Sequence, residues 1–407
     1  MKHNDMKINI KDLSKEELAA FIEGLGLKPY RTEQIIHWIY RKYAASFDEM
    51  TNLSKDTREK LKEAAVIGSL TLIKTLESKD GTQKFLFELE DGELIESVLI
   101  PDNERLTLCI SSQAGCAMSC GFCVTGSAGF RRNLKSYEIL DQAISVMRII
   151  RDRKTTMLEE SGHYITNIVL MGMGEPLNNF NEVISALWKI TGLMKFSKRR
   201  ITLSTSGIIP KIRALAETGL GVNLAISLNA STDEVRSIIM PVNKKYPLKE
   251  LLKACRQFPL PPRGRITFEY VLLAGVNDSK DDALRLVNLL KGIRSKVNLI
   301  PYNPPHTVTD NHASKRIAKT SYPLPLTSHL LPLTSYLSPH TSYLLPITYN
   351  LKSSLLFLHF SKPPETDILA FQKILSDRGL TAIIRKSKGT DISAACGQLK
   401  ADYTAVK

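Results

Sequence analysis

Three cysteines within eight residues carry the strongest chemical signal in this chain of 407 residues. Cys116, Cys120 and Cys123 have the spacing C-x3-C-x2-C, with Gly115 and Gly121 in the same segment. Thiolates at this spacing can reach three corners of a [4Fe–4S] cluster and leave the fourth iron open to another ligand. The alternatives are buried free thiols or a structural zinc site, but such a zinc site takes four ligands and no fourth Cys or His falls within the motif. We expect an iron–sulfur cluster.

Bulk properties narrow the class of protein further. Six cysteines in the whole chain do not make a disulfide scaffold, no signal-peptide pattern opens the sequence, and no proline-free apolar run is long enough to span a membrane. We therefore expect a cytoplasmic protein. Lys and Arg total 55 against 41 Asp and Glu, a net charge of +14. This surplus favours a polyanionic partner such as nucleic acid over a merely soluble basic surface.

The elements that must position the cysteines follow from hydrophobic periodicity. From about residue 105, strand patterns alternate with helix patterns, which predicts βα units on a parallel sheet. We expect an α/β fold, a partial (βα)6 TIM-like barrel with its chemistry at the C-terminal ends of the strands. The predicted strands are 106–111, 167–171, 201–204, 222–227, 266–272 and 297–300, with helices at 137–150, 182–190 and 280–290 among the segments between them.

A helical domain is predicted ahead of the barrel. Residues 1–66 contain short amphipathic patterns, and Ser14, Thr32 and Ser54 are candidate N-caps for three helices.

The rest of the chain divides into four segments. Residues 67–104 alternate around two Asp-Gly turns and predict a β-hairpin extension, 105–306 form the barrel core, and 359–407 complete that core. Residues 307–358 interrupt the pattern, because 320–347 is four tandem heptads with a proline in each, which excludes a coiled coil. We interpret this segment as an exposed, poorly ordered low-complexity insertion; a membrane-binding or partner-binding segment is the alternative.

Several stretches of the sequence resemble the RlmN/Cfr adenine methylases, a family of radical S-adenosylmethionine (SAM) enzymes. The resemblance covers nearly all residues outside the insertion and includes YRTEQIIHWIY near the N-terminus. The other stretches that carry it are TLCISSQAGCAMSCGFCVTG (107–126), MGMGEPLNN (171–179), KRRITLSTSG (198–207), AISLNA (225–230), MPVNKKYPL (240–248), NLIPYNP (298–304) and RKSKGTDISAACGQL (385–399). The resemblance implies a radical SAM barrel that methylates an adenine in RNA, and an N-terminal helical domain at 1–66 that binds the RNA.

The resemblance also implies the cofactors and their ligands. Cys116, Cys120 and Cys123 would bind the [4Fe–4S] cluster, and two molecules of SAM would be used in each turnover. The implied SAM contacts lie at or just after the C-terminal ends of predicted strands, where a barrel site is expected. They are Gly174, Glu175, Ser204, Ser227, Leu228, Asn229 and Asn303.

Two cysteines outside the cluster motif complete the implied chemistry. Cys396 matches the cysteine that the family first methylates; a 5′-deoxyadenosyl radical from a second SAM then takes hydrogen from this methyl group, and the methylene radical adds to adenine. Cys109 matches the cysteine that resolves the protein–RNA adduct, which leaves a transient Cys109–Cys396 disulfide. Taken alone, either cysteine would be read as a small buried hydrophobic residue. Cys255 follows a helical pattern and is expected in the core.

Glu96 is the candidate proton acceptor. It shares strand phase with Leu94, Val98 and Ile100, and a carboxylate on an apolar strand face suits proton transfer near neutral pH. The family has its general base for the adenine proton at the matching position. The alternative is an edge-strand residue that faces solvent.

The resemblance implies 23S rRNA near the peptidyl transferase centre as the substrate, with C2 of adenine as the methylated atom, and some tRNAs at the adenosine next to the anticodon. It also implies an external electron donor such as flavodoxin, and we expect a monomer. Reaching a ring carbon requires an unstacked base. The candidate phosphate contacts are Arg131-Arg132, Lys198-Arg199-Arg200, Lys244-Lys245, Arg385-Lys386 and Lys388.

Two other functions fit the same residues. A Cfr-like enzyme that methylates C8 would share the cysteines, although the N-terminal stretch and the Gly-Gln-Leu after Cys396 favour C2. A catalytically inactive RNA-binding iron–sulfur protein is the other alternative, because the insertion begins shortly after Asn303.

Overall fold

The computed structural model describes residues 7–153, 165–304 and 360–401. The low-complexity insertion predicted at 307–358 lies outside the described residues, so its interpretation stays a prediction.

Short helices and two short strands make up the N-terminal region. The parallel pair of strands brings the beginning and the end of this region together. The elements are β1 (Ile8–Asn9), α1 (Lys15–Gly24), α2 (Arg31–Tyr40), α3 (Lys55–Ala64) and β2 (Ala65–Val66).

Two of the three predicted N-caps are confirmed. Ser14 forms a complete capping box with Glu17 at the start of α1, and the Ser54 side chain accepts a hydrogen bond from Thr57 N at the start of α3. The prediction for Thr32 is wrong: Tyr30 holds the N-cap position, α2 begins at Arg31, and Thr32 is buried inside its first turn. Its side chain packs inward and so is not available as a cap.

Within the described residues, twelve strands follow. They are β3 (Thr71–Glu77), β4 (Gln83–Glu88), β5 (Leu94–Asp102), β6 (Arg105–Cys109), β7 (Gln113–Gly115), β8 (Phe130–Asn133), β9 (Asn167–Leu170), β10 (Ile201–Thr205), β11 (Asn223–Ser227), β12 (Ile266–Leu272), β13 (Ser295–Pro301) and β14 (Ala382–Ile384). The accompanying helices are α4 (Val124–Ser127), α5 (Ser136–Arg153), α6 (Phe180–Gly192), α7 (Ile209–Glu217), α8 (Asp233–Ile239), α9 (Leu248–Gln257), α10 (Lys280–Leu290) and α11 (Glu365–Asp377).

One ten-stranded sheet contains the barrel and the hairpin extension together. Its order is β14-β13-β12-β11-β10-β9-β6-β5-β4-β3, and the strands from β6 to β14 are parallel. The six predicted barrel strands are therefore confirmed, and β14 adds a seventh parallel strand at the edge. The antiparallel pairing of β5 with β6 continues the sheet into β4 and β3.

Strand β12 separates the core from the interior of the barrel. Phe268 and Tyr270 are fully buried, and the ring of Tyr270 lies 5.5 Å from that of Phe371 in α11. Because side chains alternate along a strand, Glu269 and Val271 face the other way and line the barrel interior. One face of the strand thus builds the core while the other builds the site.

A buried ion pair joins the N-terminal region to the barrel. Lys11 Nζ pairs with Asp141 of α5, and both side chains are inaccessible to solvent. Asp141 also accepts a hydrogen bond from Leu70 N at 2.8 Å, and Lys189 Nζ of α6 donates to the carbonyl of Lys11 at 2.8 Å. Burial lowers the pKa of Lys11, and Asp141 opposes this shift. Among the helices of the described ranges, none is long and apolar enough to cross a membrane.

Candidate active site

Two adjoining cavities open at the C-terminal ends of the parallel strands, where the sequence predicted the site. We call the first the cluster cavity; its lining includes Cys116, Cys120, Cys123, Gly174, Glu175 and Ser227. We call the second the basic cavity; its lining includes Cys109, Thr125, Arg385, Lys386 and Lys388. Four polar residues belong to both linings: Cys123, Glu269, Asn303 and Cys396.

The loop that follows β7 presents the three motif cysteines to the cluster cavity. Cys116 N donates to Gly129 O at 2.9 Å, and Cys123 N donates to Cys120 O at 3.1 Å. Gly115 has φ +73°, and a Cβ there would lie 1.9 Å from Gly129 O. A glycine is therefore required where this loop turns beneath the first cysteine.

The three thiols share a desolvated environment. Burial raises the pKa of Cys116 to about 12, and burial also raises the pKa of Cys120 and Cys123. Each neighbouring thiolate charge raises the pKa of Cys120 further, because like charges disfavour ionisation. A positively charged metal centre bound between them would reverse this preference.

The donor set fits a cluster rather than a single ion. In the part of the chain that the structure describes, no three His, Cys, Asp or Glu side chains are grouped so as to hold one metal ion. A [4Fe–4S] cluster needs a wider arrangement of ligands, since each of the three thiolates ligates a different iron. Three thiols on the wall of one cavity meet that need.

Gly174 and Glu175 form the turn after β9. Gly174 has φ +100°, and a Cβ there would lie 2.6 Å from Gln113 Cβ. The Glu175 carboxylate accepts hydrogen bonds from Leu177 N at 3.0 Å and from Ser206 N at 2.7 Å. Burial raises the pKa of Glu175, and these amide donors oppose the rise. The carboxylate is thus held rigidly in the cavity wall, where it can also accept from a ligand ammonium.

The other predicted SAM contacts divide into two groups. Ser204, Ser227, Asn229 and Asn303 line the cluster cavity. Leu228 does not belong to that lining: it is fully buried, its N–H donates to Glu269 O at 2.9 Å, and its carbonyl accepts from Arg236 Nε at 2.9 Å.

Asn229 has a structural task besides lining the cavity. It adopts φ +58°, a left-handed conformation that asparagine tolerates better than most residues. Its Oδ1 accepts from Val271 N at 2.9 Å, and its carbonyl accepts from Asn277 Nδ2 at 2.7 Å. These bonds connect the loop after β11 to the end of β12.

Cys109 and Cys396 meet at the basic cavity. Cys109 is buried at the end of β6, while Cys396 is exposed on the loop after β14. Burial raises the pKa of Cys109 to about 12, with a contribution from Cys396. Desolvation by the surrounding protein also raises the pKa of the Cys396 thiol, and the positive charge of Arg385 opposes this rise. Both thiols are free, so the structure does not support the predicted disulfide between them.

Hydrogen bonds from one backbone amide and one side-chain hydroxyl attach the Cys396 loop to the cluster loop. Val124 N donates to Gly397 O at 2.8 Å, and Thr125 Oγ1 donates to Leu399 O at 2.6 Å. Gln398 Nε2 donates to Pro304 O at 2.8 Å. Cys396 is therefore held beside Cys123 by contacts from both sides of its loop.

The strand pattern predicted that Glu96 lies on an apolar face, but in the structure a lysine shares that face with it. Its Oε1 forms an ion pair with Lys84 Nζ at 2.9 Å, and its Oε2 accepts from Lys400 N at 3.0 Å. The reason is that strand β4 places Lys84 on the same face of the sheet. Glu96 lines neither cavity in the described residues and lies beneath the C-terminal segment instead.

The predicted phosphate contacts do not share one surface. Arg385, Lys386 and Lys388 line the basic cavity. Arg132, in contrast, forms ion pairs with Asp91 and Glu138. The basic residues 198–200 immediately precede β10, and since the strands are parallel they lie at the opposite end of the barrel from the cavities.

Sequence reasoning missed two buried charged residues at the site. Arg236 of α8 is fully buried and donates to Ser206 O at 2.7 Å and to Ser227 O at 3.0 Å. Glu269 is a carboxylate in the middle of a buried parallel strand, a signal that could have been read from Ile-Thr-Phe-Glu-Tyr-Val-Leu. Helix α8 offers no comparable signal, because one arginine on a short helix is normally exposed.

Comparisons with known proteins agree with this geometry. Residues 8–67 match the sequence profile described as "Ribosomal RNA large subunit methyltransferase N-terminal domain", and residues 110–287 match the radical SAM superfamily. A radical SAM methyltransferase from Sphaerobacter thermophilus, known from its crystal structure, has 37% sequence identity and a TM-score of 0.79, covering 97% of this chain and 100% of that one.

Curated relatives match along almost the whole chain. The dual-specificity RNA methyltransferase RlmN of Desulfosudis oleivorans is 44% identical, over 97% of this chain and 91% of the relative. The protein of the same name from Geobacter sulfurreducens is 45% identical, over 99% of this chain and 95% of the relative. The chain therefore belongs to the RlmN family of radical SAM methyltransferases.

Proposed function

We propose that this chain methylates C2 of an adenine in 23S rRNA, near the peptidyl transferase centre, and of the adenosine next to the anticodon in some tRNAs. The observation that carries the proposal is the shared wall of the two cavities. One cavity presents the three motif cysteines, the other presents Cys109, and Cys396 lies on the wall between them.

The cluster cavity is the proposed site for SAM and a [4Fe–4S] cluster. Together these cofactors supply the methyl group and the radical chemistry, which protein side chains cannot provide. Cys116, Cys120 and Cys123 would hold the cluster. Glu175 would accept hydrogen bonds from the ammonium group of SAM, and the absence of a Cβ at Gly174 lets the turn pack closely on Gln113.

The hydroxyl and amide groups of the cluster cavity would orient the rest of SAM. Three strand ends present these polar side chains: that of β10 carries Ser204, that of β11 carries Ser227 and Asn229, and Asn303 follows β13. Leu228 would act only through the backbone of its neighbours, because both of its own backbone groups are already bonded within the protein.

The basic cavity is the proposed site for the target nucleotide. Arg385, Lys386 and Lys388 supply cations for phosphate groups, and the target base would enter the cavity after leaving its stack. Cys396 carries the methyl group toward this base, and Cys109 is the thiol within reach that resolves the adduct. Glu96 is the proposed proton acceptor; it would act after movement of the segment at Lys400 that now covers it.

The remaining assignments follow from the same reaction. The N-terminal domain, residues 1–66, would bind the RNA around the target nucleotide, the hairpin extension at 67–104 would support the barrel core at 105–306, and 359–407 would carry the methyl-bearing cysteine. A reaction on RNA of this kind takes place in the cytoplasm, needs an external electron donor such as flavodoxin, and requires only one copy of the chain.

The test is mass spectrometry of nucleosides from 23S rRNA and tRNA of a methylase-deleted strain that expresses the chain. We expect 2-methyladenosine with the intact protein and none with Cys396→Ala. Cys255→Ala is the matched control, because Cys255 is a buried residue of α9 that lines neither cavity. Appearance of 8-methyladenosine would reject C2 as the target, and absence of both nucleosides with soluble, cluster-bearing protein would reject the methylase function.

A further inference from the structure

Glu269 is a buried carboxylate on the wall shared by the two cavities, and none of the roles above uses it. It lies in β12, in register with Ser227 of β11 and Asn298 of β13. Only 5% of the residue is exposed. Asn298 Nδ2 donates to its Oε1 at 2.9 Å, which orients the carboxylate.

The second oxygen of this carboxylate lacks a partner. Glu269 Oε2 is buried and has no hydrogen-bond partner among the described residues. Leaving a buried acceptor unsatisfied is costly, and such groups in native proteins need a reason. A donor supplied by a bound ligand would satisfy Oε2 without any change in the protein.

The surroundings of Glu269 indicate which ligand supplies that donor. The charge of Glu269 acts on the Cys396 thiol, and the charge of Arg385 acts on both of them. Arg385 lines the basic cavity, whereas Glu269 and Cys396 line both cavities. A ligand that approaches Cys396 from the basic cavity therefore also meets Glu269.

We propose that Glu269 Oε2 accepts a hydrogen bond from the 6-amino group of the target adenine and thereby selects adenine. The inference rests on the proposed function, which brings C2 of this base to Cys396. The amino group is the hydrogen-bond donor of the adenine base, and it lies on the same edge of the ring as C2. A base with a carbonyl at this position would place its oxygen against Oε2, so that two acceptors face each other.

Binding of two RNA hairpins tests this selection without turnover. The hairpins present either adenosine or inosine, which has a 6-oxo group, at the unpaired target position. Affinities are measured by fluorescence anisotropy with cluster-loaded protein that is saturated with S-adenosylhomocysteine. We expect the wild-type protein to bind the adenosine hairpin roughly tenfold more tightly, the effect of one hydrogen bond to a charged group.

The variant Glu269→Gln gives the decisive comparison. Asn298 needs an acceptor, so the new amide oxygen faces Asn298 and the amide NH2 faces the cavity. The preference should then move toward inosine by about tenfold or more relative to wild type. A merely structural defect would weaken both hairpins equally. Glu217→Gln, at an exposed position in α7, is the matched control and should keep the wild-type ratio.

Two outcomes overturn the proposal. If Glu269 instead contacts a ribose hydroxyl in the cluster cavity, Glu269→Gln weakens S-adenosylhomocysteine binding and leaves the adenosine-to-inosine ratio unchanged. If wild type binds the target hairpin no more tightly than a hairpin of shuffled sequence, the proposed function fails as well. An unchanged ratio with specific RNA binding rejects only the role of Glu269.

Discussion

Both the backbone conformation and the packing at position 174 require a glycine. The left-handed φ of +100° is strained for residues with a Cβ, and the Cβ would overlap the side chain of Gln113. Gln113 in turn accepts a hydrogen bond from Glu175 N at 2.9 Å. A side chain at 174 would therefore disturb the residue that positions Glu175.

We expect Gly174→Ala to lower the free energy of unfolding by about 3 kcal/mol, from backbone strain and overpacking together. It should also weaken SAM binding, since the turn carries Glu175. Urea denaturation and calorimetric titration measure the two effects. Gly192→Ala is the control, because Gly192 is the last residue of α6 and no atom lies within 4 Å of the position a Cβ would take. Equal unfolding midpoints for the two variants would contradict the requirement for glycine at position 174.

The thiols of Cys109 and Cys396 differ in reactivity for physical reasons. Burial raises the pKa of both, so at pH 7 to 8 each is a thiol rather than the reactive thiolate. Below its pKa, the alkylation rate of Cys396 should rise about tenfold per pH unit and continue to rise above pH 9, where a free cysteine levels off.

Because Cys109 is also shielded from solvent, iodoacetamide should label Cys396 first at every pH. Peptide mass spectrometry after timed labelling of the folded, cluster-bearing protein between pH 7 and 10 measures both rates. Labelling of Cys109 before Cys396, or a Cys396 rate that does not change with pH, would show that the thiol environments differ from those described.

At the scale of elements, α8 ties the strand ends of the site together through Arg236. Its guanidinium bonds to carbonyls after β10 and β11, and its Nη1 donates to Asn243 Oδ1 at 3.0 Å. Burial lowers the pKa of Arg236 to about 10, and the nearby Cys120 opposes this shift. One side chain thus donates to several buried acceptors.

We expect Arg236→Met to cost about 3–5 kcal/mol of stability, because it removes a buried donor shared by acceptors such as Ser206 O and Ser227 O. Arg236→Lys should recover part of the loss, since an ammonium can reach fewer of the acceptors. The exposed Arg213 of α7 provides the control, and Arg213→Met should change the unfolding midpoint in urea only slightly. Equal losses for the Met variants at 236 and 213 would be inconsistent with the bonding seen.

At the scale of the whole molecule, the two described ends that flank residues 305–359 lie together. The ring of Phe360 is 6.1 Å from that of Tyr302 in an edge-on contact. Ala274 N donates to Ser361 O at 3.0 Å, and Pro304 O accepts from Gln398. The chain therefore leaves and re-enters the barrel at nearly the same place.

We expect deletion of residues 320–347, the four heptads, to change the melting temperature by only a few degrees, because the cost of closing a loop grows slowly with its length. Formation of 2-methyladenosine should persist in the complementation assay. Phe360→Ala is the contrasting variant and should lower stability, since it removes the contact that closes the loop. Loss of the cluster absorbance on deletion of the heptads would show that the segment takes part in the site.

Local sequence determined the cysteine loop, most of the helices and the parallel strands of the sheet. These features depend on neighbours in the chain: ligand spacing, capping residues and the alternation of buried positions as in β12. The placement of Gly174, Ser204 and Ser227 at strand ends followed for the same reason, since the ends of parallel strands share one edge of the barrel.

Only the tertiary structure decided which side chains are partners across the chain. Glu96 is paired with Lys84 and covered by Lys400, the basic residues at 198–200 lie at the far end of the barrel, and Glu269 keeps one oxygen free between two cavities. A sequence pattern gives the face on which a residue lies. The charged group that contacts this residue belongs to a strand or loop far away in the sequence, and the contact forms only when the sheet has assembled.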